Sequence, residues 1–372
     1  MNPFSISSRS RNHFCNRVKE IASLQKYMRS GIHVVVYAPR RFGKSSLAEM
    51  VLAELNDMDT IYVELFSVTS LDDVAKLLYY EIANALGSSA ARKPDFLKRL
   101  SEFFQRVRLS LSLEATDGSP KIDVSFGDAP PDICLKEVIS ALDAYCTKNG
   151  RRACLVLDEF QEICELKESK QIEAFLREGM QRSTMVTFIF MGSRRRLLRD
   201  MFESRKRAFY KSSLKLELER LPLSELTTFI EQRFQTAGHP VDRTVAEEIA
   251  TFTEGYPYYA QKLAMLYFEL LEYGTTDLDS AKLALVKSES SDCENIFVNL
   301  AANQKKVLKA LARRPTATLY ASEYLREHYL GAASSVRTAV ERLQNLDLIE
   351  NRDGTWRIVD PILARWLQSH AV

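Results

Sequence analysis

The stretch Val34-Val35-Val36-Tyr37-Ala38-Pro39-Arg40-Arg41-Phe42-Gly43-Lys44-Ser45-Ser46-Leu47 constrains this chain more than any other. Its β-branched run reads as a buried parallel strand. A tight turn closing on Gly-Lys-Ser follows, and apolar residues then recur at Leu47, Met50, Val51 and Leu55, a helical spacing. Strand, glycine-closed turn and helix in immediate succession are the context of a phosphate-binding loop. Backbone N–H groups from Arg40, Arg41, Phe42, Gly43, Lys44, Ser45 and Ser46 would surround phosphate oxygens, with the helix dipole adding to the field. Lys44 would reach the β/γ oxygens, and the Ser45 hydroxyl would ligate Mg²⁺. The pattern ordinarily opens with Gly, and here that position is Ala38. Pro39 donates no N–H, so the donors begin at Arg40.

A second motif turns an ordinary strand-to-helix turn into the weaker alternative. Ala153-Cys154-Leu155-Val156-Leu157 runs straight into Asp158-Glu159. In an open parallel sheet, ligands sit at that end of a strand. Asp158 suits a Mg²⁺ role through water, and Glu159 suits the general base that orients and deprotonates an attacking water. This carboxylate pair favours hydrolysis over phosphoryl transfer to an acceptor, so a kinase is the less supported P-loop reading. A further strand, Met185–Met191, ends in Gly192-Ser193-Arg194, where a polar side chain would stand beside the γ-phosphate.

With 372 residues, 46% of them hydrophobic and 27% charged, the chain has room for two or three domains with their own cores. No apolar run reaches the roughly 18–20 residues that span a bilayer, so no membrane role is expected. Residues 5–19 carry basic but no acidic side chains and read as a basic arm, with a short transit peptide as the alternative. Six scattered cysteines without a C-x-x-C pair read as reduced, packed thiols of a cytoplasmic protein, and five scattered histidines argue against zinc. The net charge of +2 is unevenly spread. Residues 301–372 hold eleven Lys/Arg against seven Asp/Glu, which leaves the remainder mildly acidic. A basic tail hints at a nucleic-acid face. Between residues 194 and 211, eight basic residues stand against Asp200 and Glu203. They read as a solvated face, a phosphate-backbone contact, or the source of an arginine finger at Arg205 or Arg207.

Further strands are expected at Thr60–Leu65 and Leu214–Leu218, and amphipathic helices at 71–87 and 133–148. A helix over Phe96–Val107 and a β-hairpin near 108–127, turning at Asp117-Gly118-Ser119-Pro120, are read as a surface insertion. Helices follow at 225–237, 245–253 and 258–273. Tyr256, Tyr258, Tyr259 and Tyr267 lie there at a spacing that suits core packing better than base stacking. From Gln304, three short helices (304–312, 322–328, 334–345), then strand, Asp-Gly turn and strand, describe a winged helix. Its third helix is expected to bury Val336, Val340, Leu343 and Leu346. Arg337 could then face base edges of duplex DNA, and Arg352 or Arg357 phosphates; a protein-docking module is the alternative.

Taken together, Phe14-Cys-Asn-Arg-Val-Lys-Glu, Pro-Arg-Arg-Phe-Gly-Lys-Ser-Ser-Leu and Leu-Asp-Glu-Phe-Gln resemble the archaeal-type P-loop ATPases of the STAND/AAA+ group, relatives of the Orc/Cdc6 ATPases. The resemblance implies a parallel sheet with the P-loop strand central and the acidic strand beside it. It implies a first-sensor role for Ser193. It places Pro257, within Gly255-Tyr256-Pro257, and Arg17 near the base and ribose, although Asn16 stands where the family's opening motif has Gly. The expected architecture is an α/β P-loop core over 1–220, a helical lid over 221–300 and a winged-helix domain over 301–372. The expected function is a slow switch ATPase that uses ATP/ADP and Mg²⁺ and acts on duplex DNA, a protein partner or a second copy of itself. A winged-helix regulator or scaffold that holds the nucleotide as a structural ligand is the alternative.

Overall fold

The computed structural model describes residues 2–5, 15, 17–88, 102–104, 108–113, 120–126 and 129–370. The chain divides into two compact units. One comprises Arg17–Ala38 and Lys44–Leu218; the other takes in the described residues within 1–16, 39–43 and 219–370.

The first unit is built on five parallel strands: β1 (Val34–Tyr37), β2 (Met58–Glu64), β5 (Arg152–Asp158), β6 (Val186–Gly192) and β7 (Leu214–Glu217), in the order β2-β5-β6-β1-β7. Every residue of β1 and β6 is buried, and so is all of β5 beyond Arg152. That is why these strands read as unbroken apolar runs rather than alternating ones. The expectation that the acidic strand lies beside the P-loop strand is overturned. β6 pairs with both, Leu155 opposite Phe188 on one side and Val35 opposite Phe190 on the other. The chain crosses from β1 out to β2 and then steps back through β5 to β6, which inserts β6 there, and adjacency of this kind is not written in local sequence.

Helices α1 (Val18–Arg29), α2 (Lys44–Ala53), α3 (Leu71–Ser88), α4 (Pro131–Asn149), α5 (Ser169–Arg182) and α6 (Arg195–Glu203) surround the sheet. α4 starts with Pro131 in its first turn and ends on Gly150 at φ 64°, the positions where each residue costs least. An aromatic cluster of Phe160, Phe188, Phe190, Phe202 and Phe209 fills the space beside β6. The anticipated hairpin is present as β3 (Arg108–Leu113) and β4 (Pro120–Ser125), with Leu109 opposite Val124. The anticipated helix over 96–107 and the turn residues 117–119 fall almost wholly outside the described residues.

In the second unit, α7 (Leu223–Thr236), α8 (Arg243–Phe252), α9 (Pro257–Glu272), α10 (Leu278–Ser288) and α11 (Ser290–Val298) precede a winged helix. The latter comprises α12 (Ala302–Arg313), α13 (Ser322–Glu327), α14 (Ala333–Asn345), β8 (Ile349–Arg352), β9 (Thr355–Ile358) and α15 (Pro361–Ser369). Asp353 and Gly354 are both left-handed, as a two-residue hairpin turn that matches strand twist requires. Val336, Val340 and Leu343 of α14 are buried as anticipated, but Leu346 is 44% exposed because it caps the helix rather than continuing its apolar face. Tyr256, Tyr259 and Tyr267 are core residues. None of the six cysteines forms a disulfide, and among the described residues there is no metal-ligating cluster and no helix long and apolar enough to cross a membrane.

Gly179 of α5 is a place where packing reverses the usual helix preference. A Cβ there would stand 2.8 Å from Ile139 Cβ on α4, and a branched side chain near its own backbone has little room to yield. Gly→Ala inside a helix ordinarily stabilises by about 0.5–1 kcal/mol. Overpacking of about 1–3 kcal/mol should outweigh that gain, so Gly179→Ala is expected to lower the urea midpoint of unfolding.

Candidate active site

Backbone conformation explains the unusual first position of the phosphate-binding loop. The left-handed residues of the loop are Arg41 (φ 68°) and Gly43 (φ 78°). Ala38, fully buried at the end of β1, does not adopt a positive φ and so has no need to be glycine. Lys44 opens α2, so the first N–H groups of that helix lack intrahelical acceptors and are available to an anion.

Around α2 the sequence-predicted residues converge. Lys44 is buried, with Nζ 3.7 Å from Glu159 Oε1. Ser45 Oγ donates to Asp158 Oδ2 at 2.8 Å. Asp158, 2% exposed at the end of β5, also accepts from the Tyr62 hydroxyl on the same oxygen and from the Glu159 N–H on Oδ1 at 2.8 Å. Burial, then the Asp158 charge, pushes the Tyr62 hydroxyl upward, so it stays a donor. The Ser45 hydroxyl and the Asp158 carboxylate are a hard oxygen donor pair of the kind that could hold Mg²⁺.

Ser193 follows β6 directly and is buried. Its Oγ donates to Glu159 Oε2 at 2.8 Å and its N–H reaches the same oxygen at 3.3 Å. Glu159 itself is left-handed (φ 50°) and directly follows the end of β5. Burial pushes the Glu159 carboxyl up, but the Lys44 charge and the hydrogen bonds from Gln161 and Ser193 outweigh it and hold the group below the ordinary carboxylate value.

Other predicted residues divide. Arg40 is exposed. Arg17 sits at the N-cap of α1 at φ 73°, 5% exposed, paired with Glu20 at 3.0 Å; Phe14 and Asn16 of the same motif lie outside the described residues. The Arg41 guanidinium turns to the second unit's own side chains. It donates to Tyr259 Oη at 2.5 Å and to Asp292 Oδ2 at 2.6 Å, and it pairs with the buried carboxylate of Glu289, which also takes Lys262. Tyr259 in turn donates to Asp360 Oδ2 at 2.6 Å, and Asp360 caps α15 by accepting from Ile362 and Leu363 N–H. Phe42 packs edge-on against Tyr256, with centroids 4.5 Å apart. At positions 41 and 42 both side chains are thus engaged within the second unit. Pro257 begins α9 after Gly255 (φ 75°), where a Cβ would meet the Leu221 carbonyl at 2.5 Å.

Arg207 is committed to Glu173 at 2.7 Å and Cys164 Sγ at 3.0 Å, whereas Arg205 is exposed, with no ion pair among the described residues. On the winged helix, Arg337 is exposed, Arg352 lies 3.7 Å from Asp353, and Arg357 pairs with Glu350 across β8 and β9 at 3.3 Å. Tyr62 and Gln161 were given no role from sequence. Nothing local marks Tyr62, while Gln161 closes the Leu-Asp-Glu-Phe-Gln motif and could have been singled out there.

Comparison with known proteins agrees with this fold. The Walker-type ATPase PABY2304 of Pyrococcus abyssi superposes with a TM-score of 0.72 at 16% identity, over 97% of this chain and 98% of that one. The Aeropyrum pernix ORC2 protein, solved as ADPNP–ADP complexes, superposes with a TM-score of 0.59 at 16% identity, over 98% of each chain. No curated protein sequence matches significantly. A profile described as "Probable winged helix domain" matches residues 292–369. A second profile covers residues 14–263, and on that match the chain belongs to the family described as "ATPase domain predominantly from Archaea".

Proposed function

We propose that this protein is an ATP-hydrolysing switch of the STAND/AAA+ kind, in which nucleotide state sets the state of the winged helix. The observation that carries the reading is the meeting of Lys44, Ser45, Asp158, Glu159 and Ser193 within hydrogen-bond or ion-pair reach. That ORC2 was solved with ADPNP and ADP supports a nucleotide as the ligand. Arg40 to Ser46 hold the phosphates through their backbone, with Arg17 and Pro257 toward the base. Ser45 and, through water, Asp158 would hold Mg²⁺, which when bound would supply charge neutralisation for the phosphate oxygens. Lys44 offsets the charge of the terminal phosphates. Glu159 orients the attacking water and takes its proton, and Ser193 fixes the carboxylate that does so.

Slow turnover follows from the same contacts. A carboxylate held below its ordinary value by the adjacent Lys44 charge is a weak base. Coupling has a physical route in Arg41, whose backbone lies in the phosphate-binding loop and whose side chain shares Tyr259 with the cap of α15. Among output residues, exposed Arg337 and Arg352 are the better placed for duplex DNA, since Arg357 is already paired. A protein partner is the other output, and Arg205 is the residue that self-association would present to a neighbouring copy as an arginine finger. We assign the core to 1–220, the lid to 221–300 and the winged helix to 301–372, in a cytoplasmic protein.

Lys44→Ala should weaken ATP binding by at least about 30-fold in a titration, as loss of one partner from a buried charge pair does. Unchanged affinity would remove the phosphate-binding role. Glu159→Gln is expected to lower phosphate release by about 10²–10⁴-fold while ATP still binds. Stimulation of the wild type by duplex DNA at low salt would identify DNA as the output, and indifference to DNA would point to a protein partner. Tight ATP binding with no release in either protein would favour the nucleotide as a structural ligand. Arg41→Ala should abolish any ATP-dependent change in amide exchange across α15; an undiminished change would exclude the Arg41–Tyr259–Asp360 route.

A further inference from the structure

Gln161 is fully buried in the short 3₁₀ turn Phe160–Glu165 that follows β5. Its Nε2 donates to Glu159 Oε2 at 2.5 Å and to Glu162 Oε1 at 3.0 Å. Its Oε1 is buried without a hydrogen-bond partner among the described residues. Two carboxylates on the amide nitrogen fix which end of the carboxamide faces them, because the reversed amide would place oxygen against both. The carbonyl end is seated over Gly192, where an added Cβ would stand 1.8 Å from Gln161 Oε1. A buried, unpaired carbonyl costs about 1–3 kcal/mol, and an apolar side chain of the same length would avoid that cost. The arrangement therefore sacrifices stability to keep an N–H donor on Glu159.

We propose that Gln161 is a positioning residue for hydrolysis: with Ser193 it occupies Oε2 of Glu159, so that Oε1, on the Lys44 side, is the oxygen offered to the attacking water. Ser193 reaches Oε2 from β6 and Gln161 reaches it from the turn after β5, so the carboxylate is gripped from two elements. Glu159 sits in a left-handed backbone conformation that by itself does not select a rotamer. Gly192 belongs to the device as well, since any side chain there would expel the carboxamide. The inference rests on Glu159 as the base.

The test uses the full chain. Gln161→Met keeps length and removes the donor; kcat is expected to fall ten- to a hundred-fold with KM for ATP within twofold and an undiminished Tm. Gly192→Ala should produce the same kcat loss, and in a Gln161→Ala background, where the carboxamide is gone and the flexible end of Leu198 (Cδ1 at 2.6 Å) is what has to shift, it should change kcat by less than twofold. Wild-type kcat in Gln161→Met, or additive losses in the double variant, would overturn the role. If Glu159→Gln proves as active as the wild type, the hydrolysis reading fails instead. A crystal structure of Gln161→Met then decides the geometric claim: a Glu159 carboxylate turned away from Ser193 upholds it, and an unmoved carboxylate refutes it.

Discussion

Backbone pairing among β5, β6 and β1 holds three strand ends level, and the candidate chemistry depends on that alignment. Tyr37 is opposite Gly192, and Leu157 is opposite Phe190, so the three strands end within one residue of one another, and Asp158, Ser193 and the loop that leads to Lys44 leave the same edge of the sheet. Each strand is buried on both faces, and a register slip would expose or clash a whole row of side chains. The sheet therefore sets distances of 2.8–3.7 Å among Lys44, Ser45, Asp158, Glu159 and Ser193 without long side chains having to search for each other. Placing β6 between the other two is what lets one short hydroxyl, on Ser193, reach the carboxylate that Lys44 also faces.

Much of this was legible in the chain, and the reasons are local. A strand, turn and helix that follow one another within fourteen residues are specified by nearest neighbours, as are two acids at the end of an apolar run. The winged helix was legible because helix spacing and an Asp-Gly turn are both short-range signals. The end of its strand suggested a place for Ser193 beside the γ-phosphate, and family resemblance added the sensor role. The order of strands was misread, since crossover direction is a tertiary choice. Helices α10, α11 and α15 were not anticipated, although Asp360-Pro361 carries a recognisable N-cap and first-turn proline at the start of α15. Tyr62 was invisible because its partner, Asp158, is distant in sequence and adjacent only through the β2–β5 pairing.

Arg41 is a residue whose side chain the motif leaves unassigned. The loop pattern says that backbone near residue 41 faces phosphate; it says nothing about where a long cation turns. Glu289 is 3% exposed and needs compensation for its buried charge, which Arg41 and Lys262 supply. Removing either cation would leave a carboxylate partly uncompensated in a low-dielectric setting, so the demand comes from the acid. The two tyrosines beneath the guanidinium, at 5.0 and 5.3 Å from their ring centres, add a weaker attraction of the same sign.

The left-handed backbone at Glu159 has a consequence for any attempt to make this protein more robust. A residue with a Cβ pays roughly 1–2 kcal/mol to sit at φ 50°, and glycine or asparagine would occupy the position more cheaply. Design that ranks substitutions by backbone comfort alone would thus favour replacing the one side chain on which the proposed chemistry turns. At this position thermostability and turnover pull in opposite directions, and a hardened variant should be selected with residue 159 held constant.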